Sequence, residues 1–187
     1  MIEADDVEFT INLGIISIKL KPSLLKRLQT MAANGVAEFL QSIKKLQGCY
    51  YIVAKHSGKC LDAEGMSKEK GIHIQQWNRW GGENQQWFLV NAEKKYYYII
   101  SKNSGLSLDI DGGKKEAGAK LMQWTFHGGH SQQWELKPTG DGFYYIIARH
   151  SGKCLDVEGY NQNDGAKLQQ WDLNPSDNQK WKLESAS

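Results

Sequence analysis

Carboxylates, amides and indoles recur at fixed positions along most of the chain. Three short motifs each occur three times, and successive copies are 47 residues apart: Leu61-Asp62, Leu108-Asp109 and Leu155-Asp156; Gln76-Trp77, Gln123-Trp124 and Gln170-Trp171; Gln85-x-Trp87, Gln132-x-Trp134 and Gln179-x-Trp181. A carboxylate accepts strong, directional hydrogen bonds, an amide donates and accepts at once, and an indole offers an apolar face. Together they suit a ligand with an apolar face and an edge of hydroxyl groups, such as a sugar.

The constant spacing identifies an internal repeat. Tyrosine pairs keep the same period at Tyr50-Tyr51, Tyr97-Tyr98 and Tyr144-Tyr145. Four landmarks that stay in register over three copies predict one structural unit repeated three times. The units occupy approximately residues 48–90, 91–137 and 138–187.

Each unit is predicted to contain four short strands. In the first unit, residues 50–54 are rich in aromatic and β-branched side chains and lead into the turn-forming sequence His56–Lys59. Extended structure is expected again at residues 60–62, 72–77 and 86–90, with polar, glycine-containing loops between these segments.

Twelve short strands expose many unpaired edge groups, and closure into a barrel removes them. One unit is too small to bury its own Trp, Leu and Tyr side chains, whereas three units around a pseudo-threefold axis can bury them together. A propeller is the alternative, but it usually has about four or more blades. We therefore predict an all-β protein: a β-trefoil of three repeats, preceded by a small N-terminal segment.

Three segments of the first repeat resemble the ricin-type β-trefoil lectins and related carbohydrate-binding modules. They are Lys59-Cys60-Leu61-Asp62, Gln75-Gln76-Trp77 and Asn84-Gln85-Gln86-Trp87, and the resemblance extends over about three quarters of the chain. It implies a threefold β-trefoil with up to one shallow sugar pocket per repeat. It also implies a non-enzymatic protein whose commonest ligands are galactose-type or N-acetylgalactosamine-type glycans.

The resemblance assigns five positions in each repeat to the pocket: an Asp that accepts ligand hydroxyls, a neighbouring Gln, a stacking Trp, and an Asn and a Gln at the far rim. The first repeat has all five: Asp62, Gln75, Trp77, Asn84 and Gln85. The third repeat also has all five: Asp156, Gln169, Trp171, Asn178 and Gln179. We expect the carboxylates to be exposed, so that Asp→Ala substitutions remove binding without disturbing the fold.

The second repeat departs from this pattern. It keeps Asp109, Trp124 and Gln132, but it has Met122 in place of the first Gln and Ser131 in place of the Asn. Because a thioether does not replace an amide donor, we expect this repeat to bind more weakly. A second tier of positions, three residues after the stacking Trp, also differs between the repeats: Trp80, His127 and Asn174.

Structural roles are the alternatives for several of these residues. Trp87, Trp134 and Trp181 have apolar neighbours and are expected in the core, where the Gln two residues before each would bond the main chain of a turn. For the other three Trp residues we favour a partly exposed platform over a core position. For the three Asp residues we favour a pocket over turn capping.

Catalysis has weaker support. The pairs Asp62/Glu64, Asp109/Asp111 and Asp156/Glu158 are compatible with a glycosidase, but an active site need not occur three times. The Ser-His pairs in the turns at residues 56–59 and 150–153 lack a third partner and an oxyanion hole. No Cys/His cluster has metal-ligand spacing. We therefore expect neither enzyme activity, nor a metal, nor a cofactor.

Composition points to a soluble globular protein. A net charge of +2 over 187 residues gives no general reason to expect nucleic acid or an anionic membrane as partner. The acidic start and the lack of a long apolar run predict a soluble chain, cytoplasmic or exported without a classical signal peptide. Cys49, Cys60 and Cys154 are expected to be reduced thiols.

Residues 1–47 have no Gln-x-Trp motif and are not a fourth repeat. Alternation at Val7, Phe9, Ile11 and Leu13 predicts a strand, and apolar residues at threes and fours between Leu25 and Leu46 predict an amphipathic helix. We expect this segment to form a homo-oligomer, or else to dock on the trefoil. The third possibility is that this segment lies on a membrane. In the first two cases the protein would contact a membrane only indirectly, by binding its glycans.

Glycan binding by a lectin is therefore the function that the sequence favours. Two alternatives remain open: the binding subunit of a toxin whose effector is the N-terminal segment or another chain, and a trefoil that serves as a protein-interaction scaffold.

Overall fold

The computed structural model describes residues 48–186 in full, together with the backbone of two N-terminal strands, Val7–Asn12 (β1) and Ile15–Leu20 (β2). These strands form an antiparallel two-stranded sheet. The strand predicted from the alternation after Val7 is present as β1, whereas β2 was not predicted. The predicted amphipathic helix between Leu25 and Leu46 lies outside the described residues.

Residues 48–186 form three sets of four strands, as the sequence predicts. The first set is Gly48–Ala54 (β3), Cys60–Ala63 (β4), Ile74–Trp77 (β5) and Gln86–Glu93 (β6). The second is Tyr96–Ser101 (β7), Ser107–Ile110 (β8), Leu121–Trp124 (β9) and Gln133–Pro138 (β10). The third is Tyr144–Ala148 (β11), Cys154–Val157 (β12), Leu168–Trp171 (β13) and Lys180–Ser185 (β14).

Two single-turn 3₁₀ helices follow the second and third strands of each set. They are Glu64–Met66 and Glu83–Gln85, then Asp111–Gly113 and His130–Gln132, then Glu158–Tyr160 and Asp177–Gln179. Within the described part of the chain, no helix is long and apolar enough to cross a membrane.

Six strands close into an antiparallel barrel. β3 pairs with β6, β6 with β7, β7 with β10, β10 with β11, β11 with β14, and β14 with β3. Every one of these strands therefore has a partner on both sides, which removes the exposed edges that twelve short strands would otherwise present. The repeat number and this closure confirm the predicted β-trefoil.

The other six strands form three hairpins, β4–β5, β8–β9 and β12–β13. Single β-bridges join each hairpin to the other two: His73 to Met122, Gln75 to Lys167, and Lys120 to Gln169. Because each bridge links a different pair of repeats, the hairpins form a pseudo-threefold layer. The pocket residues lie on these hairpins and on the 3₁₀ turns beside them.

Three indoles form part of the shared core, as predicted. Trp87, Trp134 and Trp181 have no solvent exposure. Their Nε1–H groups donate to the main-chain oxygens of Leu61, Leu108 and Leu155, at 3.0, 3.3 and 3.1 Å. A buried indole needs a hydrogen-bond acceptor, and here the acceptor is the residue immediately before the pocket Asp. The core thus fixes the backbone on which each pocket is built.

Buried amides connect neighbouring repeats. Gln76 Nε2 donates to the main-chain oxygens of Asn161 (2.7 Å) and Asn163 (3.0 Å), which belong to the third repeat. Gln123 bonds residues 67 and 69 of the first repeat in the same way, and Gln170 bonds residues 114 and 116 of the second. The Gln of each Gln-Trp pair therefore holds a loop of another repeat.

We expect Trp134→Ala to lower the free energy of unfolding by about 3–5 kcal/mol, because it opens a cavity in the shared core and leaves Leu108 O without its donor. Trp124→Ala in the same repeat is the matched control and should cost much less, since its side chain is partly exposed. Denaturant unfolding of both variants provides the measurement. Equal losses would contradict the division into core and surface indoles.

Candidate functional site

The Asp of each repeat lies on a hairpin, and its cross-strand neighbour is the position that the sequence assigns to the first Gln. Asp62 pairs with Gln75, Asp156 with Gln169, and Asp109 with Met122. The 3₁₀ turn that begins at residue 83, or at its equivalents 130 and 177, packs against the Asp strand and brings the Asn and Gln positions to the same place. The Asp, the Asn and the two Gln positions of each repeat therefore meet at one place, and the stacking Trp ends the hairpin strand beside it.

In the first repeat, two amides hold the carboxylate. Gln75 Nε2 donates to Asp62 Oδ1 at 3.1 Å, and Asn84 Nδ2 donates to Asp62 Oδ2 at 2.9 Å and to Ala63 O at 3.0 Å. Asn84 Oδ1 is buried and has no hydrogen-bond partner within the described residues. The pocket thus contains a carboxylate whose two oxygens are both oriented by amide donors.

The third repeat reproduces this arrangement. Gln169 Nε2 donates to Asp156 Oδ1 at 3.0 Å, and Asn178 Nδ2 donates to Asp156 Oδ2 at 2.9 Å and to Val157 O at 3.0 Å. Gln179 Nε2 adds a further hydrogen bond to Asp156 Oδ2 at 3.0 Å. The first and third repeats therefore have closely similar polar sites.

Burial of the carboxylates differs from the sequence prediction. Asp62 and Asp156 are only 2% and 3% exposed, not open to solvent as expected. Main-chain pairing within the hairpins and the packed 3₁₀ turn cover both side chains, which spacing alone does not reveal. The premise that these carboxylates are exposed is therefore wrong, and we expect Asp→Ala to lower stability, because alanine leaves the amides of Gln75 and Asn84 without their acceptor.

The second Gln of each site also has a structural role. Gln85, Gln132 and Gln179 have no solvent exposure. Each side-chain amide makes two hydrogen bonds to the loop that follows the stacking Trp. Its Nε2 donates to the main-chain oxygen of residue 78, 125 or 172, and its Oε1 accepts from the main-chain N–H of residue 80, 127 or 174. The predicted hydrogen bonds to a turn are thus confirmed, and this loop carries the second-tier positions.

The stacking Trp residues form partly exposed platforms. Trp77, Trp124 and Trp171 are 39%, 37% and 42% exposed. Each ring contacts a glycine of a neighbouring repeat: an ideal Cβ on Gly165, Gly71 or Gly118 would lie 3.7, 3.5 or 3.5 Å from the ring. These glycines have φ values of +82°, +84° and +87°, which glycine adopts most readily. Each platform is therefore supported by a second repeat.

The second-tier positions lie at the rims. The Trp80 indole lies against the backbone of Gly82, where a built Cβ would be 2.1 Å from the ring, so only glycine permits this placement. His127 is an exposed side chain whose Nε2 lies 3.1 Å from Asp109 Oδ2. Asn174 is half-buried, and its Oδ1 accepts from the main-chain N–H of Ser176.

In the second repeat, His127 takes over a contact that Asn makes elsewhere. Ser131 does not bond the carboxylate, and Asp109 Oδ2 is instead contacted by His127 and by Gln132 Nε2 at 2.9 Å. With Met122 as its cross-strand neighbour, Asp109 Oδ1 is buried and has no partner within the described residues. This carboxylate lines an open depression of about 430 Å³, together with Met122 and Trp124.

Asp164 is a residue that spacing did not indicate. It belongs to the third repeat but bonds the loop after Trp77: Asn78 donates to it from its main-chain N at 2.8 Å and from Nδ2 at 2.8 Å, and Lys59 Nζ lies 2.9 Å away. The equivalent residues elsewhere are Ala117 and Lys70, and Lys70 Nζ lies 5.3 Å from the Trp124 ring centroid. The neighbouring repeat thus gives each platform different surroundings.

The second carboxylate of each candidate acid pair takes part in an ion pair. Glu64 bonds Lys167 at 2.7 Å, Asp111 bonds Lys114 at 2.8 Å, and Glu158 Oε1 lies 2.7 Å from Lys120 Nζ. No group of three or more His, Cys, Asp or Glu residues within the described residues is arranged to hold a metal ion.

The three cysteines are unpaired thiols. Cys60 and Cys154 are buried, and Cys49 is half-buried. Burial raises the pKa of Cys60 to about 11 and that of Cys154 to about 12, so both remain protonated near neutral pH. They therefore behave as apolar core groups.

The chain belongs to the ricin-type β-trefoil lectin domain-like family. The family model matches residues 38–124 and 130–187. This assignment agrees with the closed barrel, the hairpin layer and the threefold set of Asp, Trp and Gln residues, and it supports carbohydrate binding in general. No curated protein sequence matches the chain at a significant level.

Several solved structures share the trefoil. The designed threefold-symmetric protein ThreeFoil is 44% identical, with 73% of this chain and 97% of that chain covered and a TM-score of 0.72. An exo-β-1,3-galactanase from Clostridium thermocellum is 40% identical over 74% of this chain and 30% of its own length, with a TM-score of 0.72. The C-half of an earthworm R-type lectin, in complex with GalNAc, is 23% identical over 74% and 98%, with a TM-score of 0.61.

We expect ligand binding at the first and third pockets to be lost as the pH falls, with a midpoint above the ordinary Asp pKa of 3.8. Burial raises the pKa of Asp62 and Asp156 above 3.8, although the hydrogen bonds from neighbouring amides act in the opposite direction. Only the ionised form accepts from every donor, so affinity is complete above the raised pKa and falls as the pH drops through it. Calorimetric titrations between about pH 3.5 and 7 measure the midpoint; a midpoint at or below 3.8 would contradict this expectation.

Proposed function

We propose that this protein is a non-enzymatic lectin that binds galactose-type or N-acetylgalactosamine-type glycans. The observation that carries the proposal is the combination, in the first and third repeats, of an amide-held carboxylate with a partly exposed indole. The carboxylate can accept from vicinal hydroxyls, and the indole can cover the apolar face of the same ring.

Preorganisation supports binding at these positions. Asp62 and Asp156 are oriented before a ligand arrives, because amides already bond both oxygens of each carboxylate. Little side-chain freedom remains to be lost on association. Gln85 and Gln179 hold the loops at the pocket rims in the same way.

The choice of sugar draws on two of the similar structures. The galactanase is named for a galactose polymer, and the earthworm lectin was solved with GalNAc. The galactanase is matched over only 30% of its length, so its activity is not carried over to this chain. The ion pairs of Glu64, Asp111 and Glu158 also favour binding over hydrolysis, because the second acid of each pair is engaged with a lysine.

A double substitution tests the pocket assignment. Asp62→Asn together with Asp156→Asn should weaken glycan binding strongly, because a charge-assisted hydrogen bond is worth about 1.5–3 kcal/mol, roughly ten- to a hundredfold in affinity. Asparagine is preferred to alanine because it keeps the volume of the side chain and one of the two acceptor oxygens that the neighbouring amides bond. A glycan array followed by calorimetry with the best sugar makes the measurement.

The matched control is Asp141→Asn. It neutralises an exposed carboxylate that pairs with Lys55, on the loop between β10 and β11. The control should bind as the unaltered chain does. Full binding by the double variant, with an unchanged melting temperature, would show that the ligand site lies elsewhere.

We further propose that residues 1–47 make the protein multivalent by joining copies of the chain. A shallow sugar pocket is expected to bind near the millimolar range, about 4 kcal/mol, which is too weak for stable attachment to a surface. Linking pockets through a shared N-terminal assembly raises avidity by roughly 10²–10⁴, provided that they reach glycans together.

Light scattering on the full chain and on a chain beginning at Gln47 tests this assembly. We expect the full chain to be oligomeric and the shortened chain to be monomeric, because the apolar positions from Leu25 to Leu46 supply the surface to be covered. A monomeric full chain excludes the proposal. An oligomer that persists without residues 1–47 places the interface on the trefoil.

A further inference from the structure

The turn that follows each pocket Asp ends in a different residue in each repeat. These turns are Glu64–Met66, Asp111–Gly113 and Glu158–Tyr160. Their last two residues both have positive φ, and the final residue has φ of 54° at Met66, 62° at Gly113 and 55° at Tyr160. We call this final residue the lip residue of its repeat.

Two of the three lip residues occupy a backbone conformation that is unfavourable for residues with a side chain. The left-handed region is accessible to glycine at little cost, but for a residue with a side chain it costs free energy. Met66 and Tyr160 do not recover that cost in the core, since they are 51% and 48% exposed. Large apolar side chains that are both strained and exposed point to a role at the surface.

Their position identifies that surface as the pocket. Gly113 lines the depression of about 430 Å³ in the second repeat, beside Asp109, Met122 and Trp124. Threefold equivalence places Met66 and Tyr160 at the same edge of the first and third pockets. A Cβ built on Gly113 meets no atom within 4 Å, so the second pocket is open where the other two carry a side chain.

The chemistry of the open pocket also differs. Asp109 Oδ1 is buried and has no hydrogen-bond partner within the described residues, so it is covered by its neighbours and not presented to a ligand. Met122 replaces the amide that fills this direction in the other repeats, and it forms an apolar surface next to Trp124. An acetamido group ends in a methyl group, which matches the apolar surface that the thioether of Met122 and the indole of Trp124 offer in this depression.

We propose that the lip residue selects the ligand of each pocket: the second pocket, open at Gly113, takes N-acetylhexosamines, whereas Met66 and Tyr160 restrict the first and third pockets to sugars without a bulky substituent. This selectivity rests on the proposed lectin function. It is compatible with weaker binding of a plain sugar at the second repeat, because Met122 cannot donate to that sugar.

The full chain, labelled with ¹⁵N, provides the test. The indole N–H signals of Trp77, Trp124 and Trp171 report the three pockets separately, and galactose and N-acetylgalactosamine differ only in the substituent at one ring position. We expect Trp124 to respond to N-acetylgalactosamine at roughly tenfold lower concentration than to galactose, and Trp77 and Trp171 to show the opposite order.

Exchanging lip residues between the second and third repeats gives matched variants. Gly113→Tyr should weaken the response of Trp124 to N-acetylgalactosamine by about tenfold, and Tyr160→Gly should strengthen that of Trp171 by a similar factor. Gly113→Tyr introduces the residue that the third repeat already holds at this conformation. Tyr160→Gly relieves backbone strain but removes the edge-on contact of the Tyr160 ring with His56, 5.0 Å between centroids. We expect both variants to fold. Melting curves verify this.

The outcomes separate the two proposals. The same order of preference at all three indoles, or preferences that the exchanges do not alter, overturns lip selection while leaving the lectin function intact. No response of any indole to either sugar, together with no binding on a glycan array, overturns the lectin function and the lip proposal with it.

Discussion

The structure depends on a constraint that no single repeat can meet: each repeat needs its neighbours to bury its polar and apolar groups. The amides of Gln76, Gln123 and Gln170 are fully buried, and each satisfies two main-chain oxygens of another repeat. A buried amide without partners would be costly. These contacts therefore act only when all three repeats are assembled, which makes the trefoil cooperative and fixes the position of each hairpin.

The pockets inherit this dependence. Trp77 rests against Gly165, and Asp164 bonds the loop that follows the same platform. Both belong to the third repeat, so the first pocket is shared between two repeats. The same arrangement recurs around the axis, where Gly71 supports Trp124 and Gly118 supports Trp171. Each site is therefore rigid for the same reason that the fold is closed, and a ligand meets groups that are already in place.

Identical cores coexist with different rims. Trp87, Trp134 and Trp181 bond equivalent leucine oxygens in every repeat, because any change there would open a cavity in a core that all repeats share. The rim positions are exposed and less constrained by packing. Met66, Gly113 and Tyr160 differ in size, and the residues near the platforms, Lys70, Ala117 and Asp164, differ in charge. Three pockets on one scaffold can thus differ in their preferences while the fold stays the same.

Much of this architecture could be read from residue spacing. The 47-residue period, the strand-forming segments and the recurring Gln-x-Trp triplets were sufficient to predict twelve strands, a closed threefold fold and a core position for Trp87 and its equivalents. The same spacing brought the five candidate positions of each repeat together. Local pattern succeeds here because repetition supplies three independent copies of each signal.

Tertiary structure alone decided what surrounds those positions. Asp62 and Asp156 are buried by hairpin pairing and by the packed 3₁₀ turn, His127 replaces an asparagine contact at Asp109, and Asp164 reaches across from another repeat. Local sequence does not indicate these features. The contacts join residues that are distant in the chain, and the burial of the two carboxylates is the opposite of what was expected. The sequence by itself therefore determined the repeat, the fold and the chemical types at each pocket. Packing between repeats decided how deeply the pocket residues are buried, which groups they bond and how much space is left for a ligand. These properties depend on contacts between distant parts of the chain, which form only when the barrel closes.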